Sequence, residues 1–254
     1  MREIFTSGSV GRAPGNRCLY PEADAKSLAA EGNIMQSQMM KNNKMAEKYW
    51  SRFADSYDKR QEYVVDKKLL DEITEKLDHL SALGEVVEFG CGTGYFTRII
   101  SQKSQSIMAT DISDSLLEAA KKRLGDYPNV KVQQEDCMKT SFTAEAFDSV
   151  FMANLIHVVK SPAAVLQECH RILRKDGVLI IVTFTGYGMK LWEKIKMGLR
   201  FAKSWGKPPA HVHSFSLQDL SSIMEDTGFT IKISKMIGDN TKALYVVGQK
   251  KKTA

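Results

Sequence analysis

Cysteine is scarce: Cys18, Cys91, Cys137 and Cys169 are the only thiols in 254 residues, and no two of them form a C-x-x-C pair. No histidine cluster stands beside them at metal-ligand spacing, so a zinc module or a disulfide framework is not what organises this chain, and we expect no metal. Reduced thiols in a cytoplasmic protein are the expectation that follows. Long apolar runs are missing as well. Nothing approaches the roughly 20 residues of a membrane span, and the opening MREIFTSGSVGRAPGNRC lacks the apolar centre of a secretory signal. Arg2, Arg12 and Arg17 among Ser and Gly would suit an organelle transit peptide, but a floppy extension is the plainer reading. There is no internal repeat.

Charge of one sign is not dominant either. The net charge is +6 with a pI near 9.0, yet 30 acids interleave with 36 bases, so composition gives only a weak pointer to nucleic acid or membrane. At 43% hydrophobic residues the length suffices for one large α/β domain and not for a second of similar size.

Residues 1–44 carry no sustained periodicity and end in the polar NIMQSQMMKNNK, which predicts a flexible extension followed by a domain over 45–254. From there Met45, Tyr49, Trp50, Phe53, Ala54 and Tyr57 recur at helical spacing, and Leu69, Leu70, Ile73, Leu77 and Leu80 predict a second helix. Strands and helices then alternate. SIMATD and NVKVQQED read as strands ending at Asp111 and Asp136. DSVFMAN and GVLIIVTF are continuous apolar runs of the kind buried on both faces. Ser115 with Glu118 predicts a capping box on the helix over 113–124. Ser161, Pro162 and Gly177 bracket another helix, and Ser216 with Asp219 opens a third that Gly228 stops. FTIKISKMI and TKALYVVGQ, separated by GDN, read as an antiparallel hairpin. The order implies a doubly wound, mostly parallel α/β sheet.

One stretch carries the chemistry. In EFGCGTGYF, Glu88 to Phe96, three glycines follow an apolar strand and precede a helical pattern, which sets backbone N–H groups at the edge where open α/β sheets bind ligands. The dinucleotide fingerprint fails because Tyr95 stands where its third glycine belongs, and no Gly-Lys-Ser/Thr makes a phosphate loop. Glu88 at the strand end would repel a pyrophosphate and suits an ammonium group. Asp111, some 20 residues on, suits ribose hydroxyls. Asp136 ends the next strand, where a carboxylate can accept from an adenine amino group, with Ile112 and Cys137 flanking the ring. Together these describe an adenosine joined to an amino acid.

VVEFGCGTGYFT, ATDIS, QQEDC, FDSVFMANLIHVV and LRKDGVLIIVTF resemble the successive motifs of class I S-adenosylmethionine-dependent methyltransferases, over about residues 86–184. The resemblance implies a Rossmann-like seven-stranded sheet in which the terminal hairpin adds an antiparallel strand. It implies that S-adenosyl-L-methionine is bound, with Glu88 and the Gly90, Cys91 and Gly92 backbone at its methionine part. Asp111 would meet the ribose, Asp136 and Cys137 the adenine edge, and Asn154 and Leu155 the methyl-donor side. YWSRFADSYD resembles the helix that small-molecule members fold over the cofactor, which makes Tyr49 and Tyr57 candidates to close the site; core packing explains the same aromatic face.

His157 follows the fourth strand and is the candidate general base; a packing role is the alternative. Cys91 reads as a small loop residue, since methyl transfer from a sulfonium needs no enzyme nucleophile, and His211 and His213 as loop or substrate-contact residues. Between Lys190 and Lys203, Leu191, Trp192, Ile195, Leu199 and Ala202 form a stripe amid bases, either a helix over the substrate pocket or a weak membrane-surface contact. The expected function is methyl transfer to a small-molecule acceptor with an O, N, S or C nucleophile, for example a quinone precursor or lipid, by a cytoplasmic enzyme. The absence of N-P-P-Y after the fourth strand, which here reads ANLI, argues against nucleic-acid bases. A non-catalytic S-adenosylmethionine-binding or partner-stabilising protein and a nucleic-acid methyltransferase or binder are the rival readings.

Overall fold

A computed structural model describes residues 44–209 and 211–251. The extension expected over 1–44 lies outside the described residues except for Lys44, which is already helical. Helical residues 44–51 (α1) and Tyr57–Val65 (α2) lead into α3 (Lys67–Asp78). The chain then runs β1 (Gly84–Phe89), α4 (Thr97–Ile100), β2 (Ser104–Asp111), α5 (Asp114–Leu124), β3 (Val130–Gln134), β4 (Phe147–Ala153) and α6 (Pro162–Ile172). It closes with β5 (Leu173–Thr185), α7 (Leu191–Trp205), α8 (Leu217–Asp226), β6 (Phe229–Ile237) and β7 (Lys242–Lys250).

The seven strands lie in the order β3-β2-β1-β4-β5-β7-β6. The first five are parallel, while β7 inserts antiparallel between β5 and β6. Strand period 2 explains why the central runs are apolar throughout. Val86, Phe151, Ile180 and Val182 pack on one face against Leu70, Ile73 and Leu77 of α3 and Ile100 of α4. Their neighbours Val87, Val150, Met152, Leu179 and Ile181 pack on the other against Val165, Leu166 and Cys169 of α6 and Leu220 and Met224 of α8. Both faces are covered, and no polar strand residue is needed to meet water. Chain order reverses between β1 and β4, so the crevice beyond their C-terminal ends is the topological switch point.

Local signals set the helix ends, with two departures. The α8 box forms as expected, Ser216 Oγ accepting from the Asp219 N–H while Asp219 accepts from the Ser216 N–H. Ser161 caps α6 with Pro162 in the first turn. On α5, however, the cap is Ser113, whose Oγ accepts from the Leu116 N–H; Ser115 lies inside the helix, because Ser113 already has the extended backbone a cap requires. Gly177 does not stop α6, which ends at Ile172 and passes directly into β5. It stands instead where the β4–β5 register shifts, and a Cβ there would meet the Arg174 carbonyl at 2.9 Å. Among the described residues no helix is long and apolar enough to cross a membrane.

Candidate cofactor and acceptor site

The glycine turn starts where β1 ends. Gly90 and Gly92 have φ of +69° and +56°, a left-handed backbone that side chains disfavour. A Cβ on Gly90 would also approach Leu155 Cδ1 to 3.0 Å, so glycine keeps this edge open. The Cys91 N–H donates to the Thr110 carbonyl (2.9 Å), which ties the turn to β2. Only the single turn α4 follows, after a series of tight turns, so oriented backbone amides contribute more here than a helix dipole does.

Asp111 is positioned by two backbone donors. Its Oδ2 accepts from the Gly92 N–H (3.0 Å) and its Oδ1 from the Ser113 N–H (2.9 Å). Burial pushes its pKa up and those donors oppose the rise. Each carboxylate oxygen retains a second lone pair for a ligand hydroxyl. Glu88 is only 1% exposed, and its Oε2 has no hydrogen-bond partner among the described residues. Burial pushes the Glu88 carboxyl up to about 8, with the nearby Thr97 hydroxyl opposing the rise and the Asp111 carboxylate adding to it. A second buried orphan, Asn154 Oδ1, sits at the end of β4, held by a left-handed backbone (φ +57°) and an N–H donated to the Val182 carbonyl at 2.8 Å.

One cavity joins these strand ends. Gly90, Gly92, Asp111, Ile112, Asp136, Cys137, Asn154, Leu155 and Tyr57 all line it. Glu88 and Cys91 are buried and do not line it. Burial raises the Cys91 and Cys137 thiols above their ordinary range, so both are protonated and poor nucleophiles. Tyr57 has its phenol pushed up by burial and by Asp111. Tyr49 is not on the wall; its hydroxyl points to the Trp205 carbonyl (3.5 Å), and the helix presents Ala46 and Trp50 instead.

His157 is also set apart from the cavity. The turn over 155–160 directs Leu155, Val158, Val159 and Lys160 to the wall, whereas His157 Nδ1 meets Thr183 Oγ1 of β5 at 2.8 Å and its carbonyl accepts from the His213 N–H at 2.7 Å. Burial, aided by His213, lowers its pKa to about 4. The histidine on the wall is His211. His213 is tied down by the Val159 carbonyl at 2.9 Å. Thr110, Leu116, Glu135, Met138 and Ala153 complete the lining residues that sequence reasoning missed. Leu116 and Met138 were within reach of it, since each follows Asp111 or Asp136 by a few residues; His211, named as a loop or substrate-contact residue, does line the cavity.

The covering helices are latched to the glycine turn. Asp58 of α2 accepts from Thr93 Oγ1 (2.6 Å) and pairs with Arg123 of α5, which also donates to the Thr93 carbonyl at 3.0 Å. Ser51 and Ser113 share a hydrogen bond of 2.8 Å.

These features fit an adenosyl amino acid: an unpartnered buried acceptor for an ammonium, a carboxylate set for ribose, and a third acid beside an apolar slot. A family profile described as "Methyltransferase domain" matches residues 87–181. Malonyl-[acyl-carrier protein] O-methyltransferase of Legionella pneumophila is 29% identical over 70% of this chain and 60% of its own length. Ubiquinone biosynthesis O-methyltransferase of Actinobacillus pleuropneumoniae is 26% identical over 59% of this chain and 65% of its own. Ribosomal RNA small subunit methyltransferase A of Alkaliphilus metalliredigens is 30% identical over 56% of this chain and 50% of its own length. The chain therefore spans less than two thirds of each of these relatives. Among solved structures, a SAM-dependent methyltransferase of Thermotoga maritima, titled a possible histamine N-methyltransferase, superposes with a TM-score of 0.62 at 23% identity, covering 80% of this chain and 99% of that one. Residues 87–181 therefore carry a methyltransferase domain, and the chain shares its fold with solved S-adenosylmethionine-dependent methyltransferases.

Proposed function

We propose that residues 45–254 form a methyltransferase domain that transfers a methyl group from S-adenosyl-L-methionine to a small, partly apolar acceptor. When bound, that cofactor supplies an electrophilic methyl on a sulfonium. Glu88 receives the ammonium, Asp111 the ribose hydroxyls and Asp136 the adenine amino group, with Ile112, Leu116, Cys137 and Met138 flanking the ring. Trp50, Tyr57, Leu155 and Val158 exclude water and align the acceptor for in-line attack. Where the acceptor must lose a proton, a ring nitrogen of His211 takes it, in place of His157. Thiolate or neutral amine acceptors need no base.

The observation that carries this reading is the set of acids at the ends of β1 and β2 and two residues past the end of β3, Glu88, Asp111 and Asp136, with the Glu88 Oε2 orphan buried beside a cavity that the other two line. The mainly apolar upper wall, Ala46, Trp50, Leu155, Val158 and Val159, supports a compact acceptor such as a quinone precursor, a lipid or an acyl group. The malonyl-carrier and ubiquinone relatives support the same class. The free, separated thiols Cys91, Cys137 and Cys169 are compatible with a cytoplasmic setting. A second reading, methylation of RNA, is favoured by the ribosomal RNA relative; it requires binding that weakens steeply with salt.

Isothermal titration of the full chain with S-adenosylmethionine, S-adenosylhomocysteine and NADH is the direct test. Micromolar binding of the first two without the third is expected. Absence of binding by either adenosyl compound would sink the enzyme reading in favour of a partner-stabilising role.

A further inference from the structure

The helix α7 is built the wrong way round for a helix covering a soluble core. Leu191, Trp192, Ile195 and Leu199 are 74%, 63%, 44% and 67% exposed, and they fall on one helical arc with the exposed Ala202. From Leu191 to Leu199 the arc runs about 12 Å along the axis. Met197, Phe201 and Trp205 hold the helix to the protein from the opposite side, Trp205 packing against Trp50, Phe53 and Tyr57. The outward stripe is therefore not a face left bare by a detached helix, because the opposite side packs on the core through the buried Trp205 and the partly buried Met197 and Phe201.

Cations border this stripe. Between residues 186 and 210 the sequence has Lys190, Lys194, Lys196, Arg200, Lys203 and Lys207 against the single acid Glu193. At 100° per residue Lys194 falls on one edge of the apolar arc and Lys196 and Lys203 on the other. Among the described residues only Lys196 of the six is in a salt bridge, with Glu193 at 3.1 Å. Arg200 and Lys203 lie over the half-exposed Tyr63 ring at 5.8 and 5.9 Å, adding an aromatic group at the cationic border.

We propose that α7 docks this protein on an anionic lipid surface, with Leu191, Trp192, Ile195 and Leu199 entering the acyl boundary and the flanking lysines meeting headgroup phosphates. Charge and shape choose this occupant over the alternatives. A second copy meeting α7 against α7 sets six cations against six with one acid on each side, which is repulsive. A nucleic acid would use the cations but has no place for a central aliphatic stripe. A bilayer satisfies both parts, since its phosphates are anionic and its interior is apolar at the depth such a stripe reaches. The docking surface is independent of the chemistry proposed for the cavity.

The experiment is co-sedimentation of the full chain with vesicles of phosphatidylglycerol and phosphatidylcholine, against vesicles of phosphatidylcholine alone, followed in parallel by tryptophan emission. We expect binding roughly tenfold tighter on the anionic vesicles, weakened by salt, with a blue shift from Trp192. Trp192→Ser with Leu199→Ser should reduce binding by about tenfold while circular dichroism melting stays unchanged, because both side chains are exposed. Lys194→Glu with Lys203→Glu should remove the preference for anionic lipid. Failure to bind vesicles, or binding indifferent to the Trp192 and Leu199 changes, would overturn the proposal. Self-association lost on Leu199→Ser without vesicle binding would assign the face to a second copy, and salt-sensitive RNA binding without vesicle binding would assign it to nucleic acid; either overturns it.

Discussion

A buried carboxyl oxygen with no hydrogen-bond partner is a cost that a ligand can relieve, and in Glu88 Oε2 is that atom. Its folded pKa of about 8 stands above the ordinary value of 4.5, so the folded protein holds a proton that the unfolded chain releases over that interval. The stabilising contribution is complete below pH 4.5 and is lost as pH rises from 4.5 towards 8. Glu88→Gln should therefore stabilise the ligand-free protein at pH 8 and have little effect near pH 4, which melts at the two pH values will show. An ammonium bound at Oε2 reverses the balance by favouring the carboxylate. Binding of S-adenosylmethionine at pH 7 should then release close to one proton in the wild type and none in the variant, measured by titration in buffers of different ionisation heat. Affinity should fall in the variant by the worth of a charge-assisted hydrogen bond, about 1.5–3 kcal/mol. Equal affinity and equal proton release in both proteins would place the ammonium elsewhere. Glu88 was legible because acids at strand ends follow from strand boundaries, which periodicity fixes. His157 and Tyr49 were not legible as non-lining residues. Which residue of the 155–160 turn faces the cavity is set by turn dihedrals, and the choice between Tyr49 and Trp50 by a rotation of α1 that an all-aromatic face does not determine.

At the scale of elements, the strands were readable because the central ones are buried on both faces and tolerate almost nothing but apolar residues. Caps were readable where one candidate stood alone, as at Ser161, and misread where Ser113 and Ser115 competed two positions apart. The contact between the covering helices and the glycine turn had no sequence signal, since Asp58, Thr93 and Arg123 are separated by 35 and 30 positions along the chain. That latch is partly exposed, Arg123 at 34% and Asp58 at 27% of their side chains, so its ion pair contributes at most about 1 kcal/mol to stability once solvent screening is counted. Its larger effect falls on Tyr57, the residue preceding Asp58, which α2 holds on the cavity wall. Arg123→Ala should thus leave the global melting temperature within a few degrees of wild type and accelerate cofactor release. Stopped-flow displacement of bound S-adenosylhomocysteine provides the readout. An unchanged release rate would show that the Asp58 latch does not hold α1 and α2 over the cavity.

For the molecule as a whole, the site sits where the central strand β4 and its neighbour β1 end beside one another, and both face clusters of the core share those strands. A ligand at such a place is coupled to the entire sheet, because unfolding that separates β1 from β4 destroys the site. Saturation with S-adenosylhomocysteine at about 100 times its dissociation constant adds about 2.7 kcal/mol to the folded state. In a domain of this size each kcal/mol moves the midpoint by about 2–4 °C, so calorimetry should show one transition displaced upward by about 5–10 °C. The alternative is specific to this architecture: α1 and α2 cover the cavity from one side and are joined to the sheet by aromatic packing and the Asp58 latch rather than by strand pairing. If those helices separate first on heating, a small early transition should appear in the empty protein and merge with the main one when ligand is added. Two transitions that remain apart at saturation would mean that α1 and α2 take no part in holding the ligand, and that the cavity is closed by the sheet edge and its loops.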